Sequence, residues 1–350
     1  MSMRVGVLTG GGDAPGLNAA ICGLARRLLA ANAELVGFAD GWRGLIDDAA
    51  RPLQHVDFQH LLVYGGTLLG SSGDNPYRDP ATMVPKVLAT IARHRLDALI
   101  AIGGEGTLGA ADRLFTEHQV PVVGVPKTID NDLDATDFTF GFFSAVEVAT
   151  RAMDDLRSTA ESHGRVMVVE CMGRHAGWIT AYAGVAAGAE AVLVPERPVH
   201  LEELCQNLAR LRQSGSRSAI VAVAEGARLH EDGKCLSSME KDEFGEFKTG
   251  GAAATIAKRV QARLGWEARP VVLGHLQRAG KPIAFDRIFA LRLGARAARL
   301  VLERRFGYMS AMRSGEIVDV PLRAAVAARK TLTDQFLDRY ESFFMPIGGP

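Results

Sequence analysis

The chain has 350 residues, 47% hydrophobic and 23% charged, which is ordinary globular composition and fits two domains better than one or three. Its 40 basic residues balance 40 acidic ones, so a nucleic-acid or membrane-surface protein acting through bulk charge is excluded. Any cationic chemistry must come from local clustering.

The first element is Arg4 to Thr9, a short β-branched run that stops at Gly10, Gly11 and Gly12. Gly16 to Ala31 then reads as an amphipathic helix, with Leu17, Ile21, Leu24 and Leu28 at helical spacing. Short apolar runs recur at Leu35–Phe38, Ala98–Ile102, Val120–Val125, Val166–Val169, Ala191–Val194, Ile220–Ala224 and Val271–Leu273. Helical patterns such as Val84–Arg95, Ser144–Leu156 and Leu201–Leu211 lie between them. Continuous apolar strands alternating with helices imply parallel sheets covered on both faces, so the fold class is doubly wound α/β. Leu229 to Gly250 is polar and charged and reads as an exposed excursion. Cys22, Cys171, Cys205 and Cys235 are widely spaced without a CxxC pair, which argues for free thiols and against zinc or a disulfide framework. Val5–Leu8 is too short for a signal-peptide core, and no apolar run approaches the ~20 residues that span a bilayer, so a cytoplasmic setting is expected.

Ligands of such folds bind at loops leaving the carboxyl ends of strands, and three loops here are informative. Gly10–Asn18 joins a strand to a helix, where glycine allows close approach to phosphate and the helix terminus offers N–H groups. It matches neither the P-loop nor the GxGxxG pattern. Gly103-Gly104-Glu105-Gly106-Thr107 also opens a helix, and its carboxylate could hold Mg²⁺ beside bound phosphates or simply complement the helix dipole. In Pro126-Lys127-Thr128-Ile129-Asp130-Asn131-Asp132, one carboxylate can accept a hydroxyl proton while the other helps hold the metal. An Asx turn would also suit that run, but the neighbouring phosphate loops weigh against it. Further along, Arg174 and His175 follow the strand Val166–Val169, His275 and Arg278 follow Val271–Leu273, and Arg165 and Arg269 stand just before those strands. Paired hydrogen bonds from arginine suit a phosphorylated acceptor.

Taken in order, GGGDAPGLN (10–18), GGTLLGSS (65–72), GGEGT (103–107), PKTIDND (126–132), MGRHAGW (172–178), AEG (224–226) and LGHLQR (273–278) resemble the phosphofructokinase family from Val5 to about Arg299. The resemblance implies two doubly wound domains with the active site in the cleft between them. Residues 1–141 and 254–304 would form the donor domain, and 142–253 with 305–350 the fructose 6-phosphate domain. It implies Asp130 as general base on the sugar 1-hydroxyl, assisted by Lys127 and Arg174, with Mg²⁺ at Glu105 and Asp132. Gly11, Gly104, Glu105, Gly106 and Thr107 would bind the donor. Thr128, Asp130, Asp132, Met172, Gly173, Arg174, Glu225, His275 and Arg278 would hold fructose 6-phosphate. Arg165 and Arg269 would reach in from a neighbouring subunit of a homodimer or homotetramer.

Two donor markers disagree. By the same resemblance, Gly106 is the residue of ATP users, because a carboxylate there would collide with the α-phosphate, whereas Lys127 is typical of pyrophosphate users. A lysine can serve either donor, so the sequence points to ATP, with pyrophosphate as the alternative. Gly73 stands where an arginine on the transferring phosphates is expected, and its loss could cost ~10³ in rate unless Lys127 or Arg78 substitutes. That gap also admits an inactive phospholigand-binding subunit, against which intact Asp130, Asp132 and Arg174 argue. A lipid or dinucleotide kinase sharing a GGDGT-like loop leaves LGHLQR and MGRHAGW unexplained. Glu105 replaces the more usual Asp. The effector site of regulated members looks eroded, with Cys22, Ser214 and Ser216 in place of basic residues while Arg26, Arg157 and Glu190 remain, so nucleoside diphosphate and phosphoenolpyruvate control is expected to be absent.

Overall fold

The structure, a computed structural model, describes residues 2–54, 56–231, 234–235 and 250–344, without the side chains of 234 and 235. The chain divides into two units: Met1–Ile129, Leu133–Ser144 and Arg278–Arg329 in the first, Asp130–Asp132, Ala145–Gln277 and Lys330–Pro350 in the second.

In the first unit a seven-stranded sheet runs in the order Glu316–Pro321, Tyr308–Arg313, Val122–Pro126, Ala98–Gly103, Arg4–Thr9, Glu34–Phe38 and Ala50–Pro52. The five inner strands are parallel, and the outermost strand at each edge is antiparallel to its neighbour. Alternate residues of one strand feed opposite cores. Val5 and Val7 pack with Leu17, Ile21 and Leu24 of the helix Leu17–Ala30, whereas Leu8 packs with Val87, Leu108 and Leu114 on the other face. That two-sided burial is why these strands read as unbroken apolar runs.

The second unit holds a four-stranded, wholly parallel sheet ordered Ala268–Val272, Val166–Cys171, Ala219–Ala224 and Ala191–Leu193. Val166, Val168, Val221 and Val223 pack against Leu204 and Leu208 of the helix Leu201–Gln213 and against Ile256 and Val260 of the helix Ala252–Leu264. A small sheet of Lys234–Cys235, Leu229–Glu231 and Val199–His200 lies in the same unit. The expected excursion from Leu229 to Gly250 falls mostly outside the described residues.

Both units are mainly parallel α/β, as expected, but they divide differently from the expected 254–304 and 305–350 boundaries. Residues 254–277 lie in the second unit because Ala268–Val272 pairs with Val166–Cys171. Residues 305–329 lie in the first, because Tyr308–Arg313 pairs with Val122–Pro126. Among the described residues no helix is long and apolar enough to cross a membrane. Cys22, Cys171 and Cys205 are buried free thiols.

Candidate active site

In the first unit, Arg4–Thr9, Ala98–Gly103 and Val122–Pro126 are adjacent parallel strands, so the loops at their carboxyl ends emerge side by side. Gly11 adopts a φ of 78°, in the left-handed region that favours glycine, and its N–H donates to the carbonyl of Ser72 at 2.9 Å. The Ser71 hydroxyl donates to the Gly11 carbonyl, which ties the segment before Gly73 to this turn. Thr107 is buried and locks two loops together: a Cβ on Gly10 would stand 2.6 Å from its hydroxyl oxygen, and one on Gly103 only 2.4 Å from its Cβ.

Two cations converge on the same turn. Lys127 is 2% exposed and its Nζ donates to the Gly12 carbonyl. Arg278, expected among the sugar-phosphate residues, lies over Gly12 and donates Nη1–H to the Asp13 carbonyl at 2.8 Å. Gly73 is exposed, and Arg43 nearby in the fold pairs with Asp74 at 2.9 Å. Glu105 opens the helix Glu105–His118, is 57% exposed, and faces Arg329 at 3.6 Å. Gly106 is different from its neighbouring glycines. The nearest atom to a Cβ built there is Asn75 Nδ2 at 4.0 Å, and its φ is not left-handed.

In the second unit, Asp130 is 6% exposed and Asn131 is fully buried with a φ of 53°. Lys330 Nζ donates to Asn131 Oδ1 at 3.0 Å, and the Lys330 N–H donates to the Asp132 carbonyl at 2.9 Å. Thr128 belongs to the first unit, where its carbonyl accepts the Thr139 hydroxyl at 2.6 Å.

The loop after Val166–Cys171 is held by its own backbone. Glu225 Oε1 accepts the N–H of Gly173 at 3.2 Å and of Arg174 at 2.9 Å, which keeps Arg174 in a left-handed conformation with φ 50° and its residue exposed. Glu225 therefore shapes this loop through at least one of its oxygens. Gln277, fully buried, accepts the Met172 N–H at 2.9 Å and so joins the MGRHAGW loop to the short 3-10 turn Gly274–Gln277. His275 is exposed on that turn.

Arg165 and Arg269 lie at the opposite, amino end of these strands. Both pair with Glu267, at 3.0 and 2.5 Å, and the hydrogen bond from Arg165 leads in holding that carboxyl below its usual range. The strand from Val166 to Cys171 has 6 residues, which at roughly 3.3 Å each puts about 20 Å between Arg165 and the Met172–Arg174 loop. A single chain does not bring these two arginines to its own Arg174.

A model of the family described as Phosphofructokinase matches residues 4–301. The chain belongs to the phosphofructokinase family. It is 50% identical over 343 residues, covering 98% of this chain and 100% of the relative, to the pyrophosphate–fructose 6-phosphate 1-phosphotransferase of Amycolatopsis methanolica. It is 47% identical over 335 residues, covering 95% of this chain and 97% of the relative, to ATP-dependent 6-phosphofructokinase 3 of Streptomyces coelicolor. Among solved structures it is similar to the phosphofructokinase of Pichia pastoris, with a TM-score of 0.79 and 31% identity over 93% of this chain; this chain spans 36% of that longer one. The relatives' names divide between the two donors.

Several residues that shape this candidate site escape sequence reading. Gln277 sits inside a motif quoted for the family, yet nothing local marks it as the partner of Met172. Arg329 and Lys330 lie beyond the matched residues 4–301, in a segment without apolar periodicity.

Proposed function

We propose that this phosphofructokinase transfers the γ-phosphoryl group of ATP to the 1-hydroxyl of fructose 6-phosphate, giving fructose 1,6-bisphosphate. Gly106 carries the choice of donor. Neither packing nor backbone conformation demands glycine there, because the nearest neighbour of an added Cβ is 4.0 Å away and φ is ordinary. Glycine in a helix is worse than alanine by roughly 0.5–1 kcal/mol, so its presence without a structural need supports space kept for a ligand. A nucleoside triphosphate needs that space more than pyrophosphate does.

In this reading Asp130 takes the proton of the sugar hydroxyl as it attacks. Lys127, on the Gly10–Asp13 turn, offsets charge that develops on the transferring phosphates. Gly11, Gly104, Gly106 and Thr107 shape the donor loop. Arg174, exposed on a loop that Glu225 pins, forks the sugar phosphate together with Thr128, Met172, Gly173 and His275. Arg278, which donates to the Asp13 carbonyl, would serve donor phosphates as well as the sugar phosphate.

Glu105 offers an exposed hard oxygen ligand of the kind Mg²⁺ takes, and it would hold the ion, with Asp132 as the second proposed carboxylate. Bound there, the ion neutralises charge on the phosphates. Arg165 and Arg269, remote from Arg174 in their own chain, support an oligomer in which each completes a neighbour's sugar-phosphate site.

Pyrophosphate as donor is the second reading, favoured by buried Lys127 and by the name of the Amycolatopsis relative. Purified protein assayed with each donor at equal Mg²⁺ separates the two. Turnover with ATP at least as fast as with pyrophosphate is expected, and turnover confined to pyrophosphate would overturn the ATP reading.

A further inference from the structure

Residues 330–333 run as a strap across the second unit, outside the segment matched to the family. Their attachments are specific. The Lys330 carbonyl accepts Trp178 Nε1–H at 3.1 Å, and the Lys330 ammonium lies 5.6 Å from the centre of the Trp178 ring. Leu332 is buried and donates its N–H to Glu196 Oε1 at 3.0 Å. The same carboxylate accepts the Gly177 N–H at 3.0 Å, so one half-buried group ties the strap to the end of the MGRHAGW loop. Downstream, Thr333 caps the helix Asp334–Arg339, whose Phe336 packs edge-on to Trp178 and stacks on Tyr182.

At the head of this anchored strap, Lys330 meets the loop that carries the two carboxylates. Its side chain binds Asn131 Oδ1 and its backbone N–H binds the Asp132 carbonyl. Asn131 is fully buried in a left-handed conformation, which holds Asp130 and Asp132 on either side of a sharp turn. A charged hydrogen bond onto the middle residue of such a turn fixes the direction of both flanking side chains.

We infer that Lys330 is a positioning residue for the Asp130–Asp132 loop, supplied by a strap from the C-terminal segment. This rests on the reading of Asp130 as the base, and it adds a requirement which that reading does not contain. The strap also joins the loop to Trp178 and Gly177, so the base and the sugar-phosphate loop are set by one brace.

The test compares Lys330→Met, Lys330→Arg, Asn131→Gly and the Lys330→Met/Asn131→Gly double variant in the full chain. Asn131→Gly keeps the left-handed turn accessible while removing the amide. Lys330→Met should lower kcat about tenfold to a hundredfold, the range of a lost charged hydrogen bond. KM for fructose 6-phosphate should move less than about threefold, because the phosphate contacts remain. Lys330→Arg should recover most of kcat, and the double variant should lose no more than the worse single variant. Unchanged kcat in Lys330→Met below its melting temperature, or losses that multiply in the double variant, would overturn the inference. A wild-type enzyme that turns over beside an unaffected Lys330→Met leaves the proposed function standing and removes only this one. Amide hydrogen exchange needs no turnover: residues 130–132 should exchange at least about tenfold faster in Lys330→Met, and equal protection would overturn the inference by itself.

Discussion

Arg157 and Glu190 satisfy one another, with Nη1 donating to Oε1 at 2.9 Å. The rest of the guanidinium is also used, since Nη2 donates to the carbonyls of Ala187 at 3.1 Å and Gly188 at 2.9 Å. Glu190 Oε2 accepts the Ile220 N–H at 2.6 Å. An arginine committed in this way is poorly placed to bind an incoming phosphate. Fructose 6-phosphate saturation curves should therefore shift less than about fivefold with a nucleoside diphosphate or phosphoenolpyruvate, below the usual range of allosteric coupling. A larger shift in steady-state assays would show a working effector site.

Gly106→Asp should separate activity from stability. The position has room, and an acidic residue in the first turn of a helix is favourable, so thermal stability should hold or rise by up to about 1 kcal/mol. Activity with ATP should fall about a hundredfold or more, from collision with the donor phosphates and repulsion of their charge. Full ATP activity in this variant would sink the steric argument for the donor.

Lys127→Met keeps the length of a buried side chain and removes its charge from the Gly10–Asp13 turn. A fall in kcat of about a hundredfold to a thousandfold is expected with whichever donor is used. Single-turnover rates measured on the bound donor give the cleanest reading, because they exclude changes in product release.

Arg174 and Arg269 belong to opposite ends of one sheet, so their defects should complement. Arg174→Ala and Arg269→Ala chains, each inactive by itself, should regain activity when co-expressed and purified as mixed oligomers through two tags. Recovery fails if both arginines serve the site of the same chain.

Asp286 is fully buried and accepts both the N–H and the hydroxyl of Ser144 at 2.7 Å, yet burial outweighs these bonds and pushes its carboxyl from 3.8 up to about 6. Because the folded protein holds this proton more tightly than the unfolded chain, the stabilisation is complete below about pH 4 and is lost as pH rises through about 6. The shift corresponds to about 3 kcal/mol between those limits. Asp286→Asn should flatten this part of the stability curve, measured by thermal unfolding from about pH 4 to about pH 7. An unchanged slope would assign it to another group.

The parallel strands were legible because burial on both faces leaves continuous apolar runs, and the glycine-rich loops at Gly10 and Gly103 because glycine there answers to contacts a side chain cannot make. Thr107 against Gly10 is one such contact. The division into units was less legible, since it depends on which strands pair across long sequence separations. Nothing local to Ala268–Val272 says that it lies beside Val166–Cys171. The hairpin Tyr308–Pro321 was missed because Ser310 is buried among its apolar neighbours and breaks their pattern. Lys330 carries no periodic signal at all, and its hydrogen bonds and its place over the Trp178 ring distinguish it from an ordinary surface lysine.

The strand Ala268–Val272 is the outer member of its sheet, and among the described residues nothing pairs with its free side. It carries Arg269, Pro270 and an exposed Val272. Proline has no N–H to offer, so the ladder of backbone bonds cannot be continued smoothly outward. A chain arriving at this edge must be recognised by side chains, through charge and an apolar residue, and not by open-ended strand addition. An edge of this kind resists open-ended strand addition, the route by which exposed sheet edges grow into fibres.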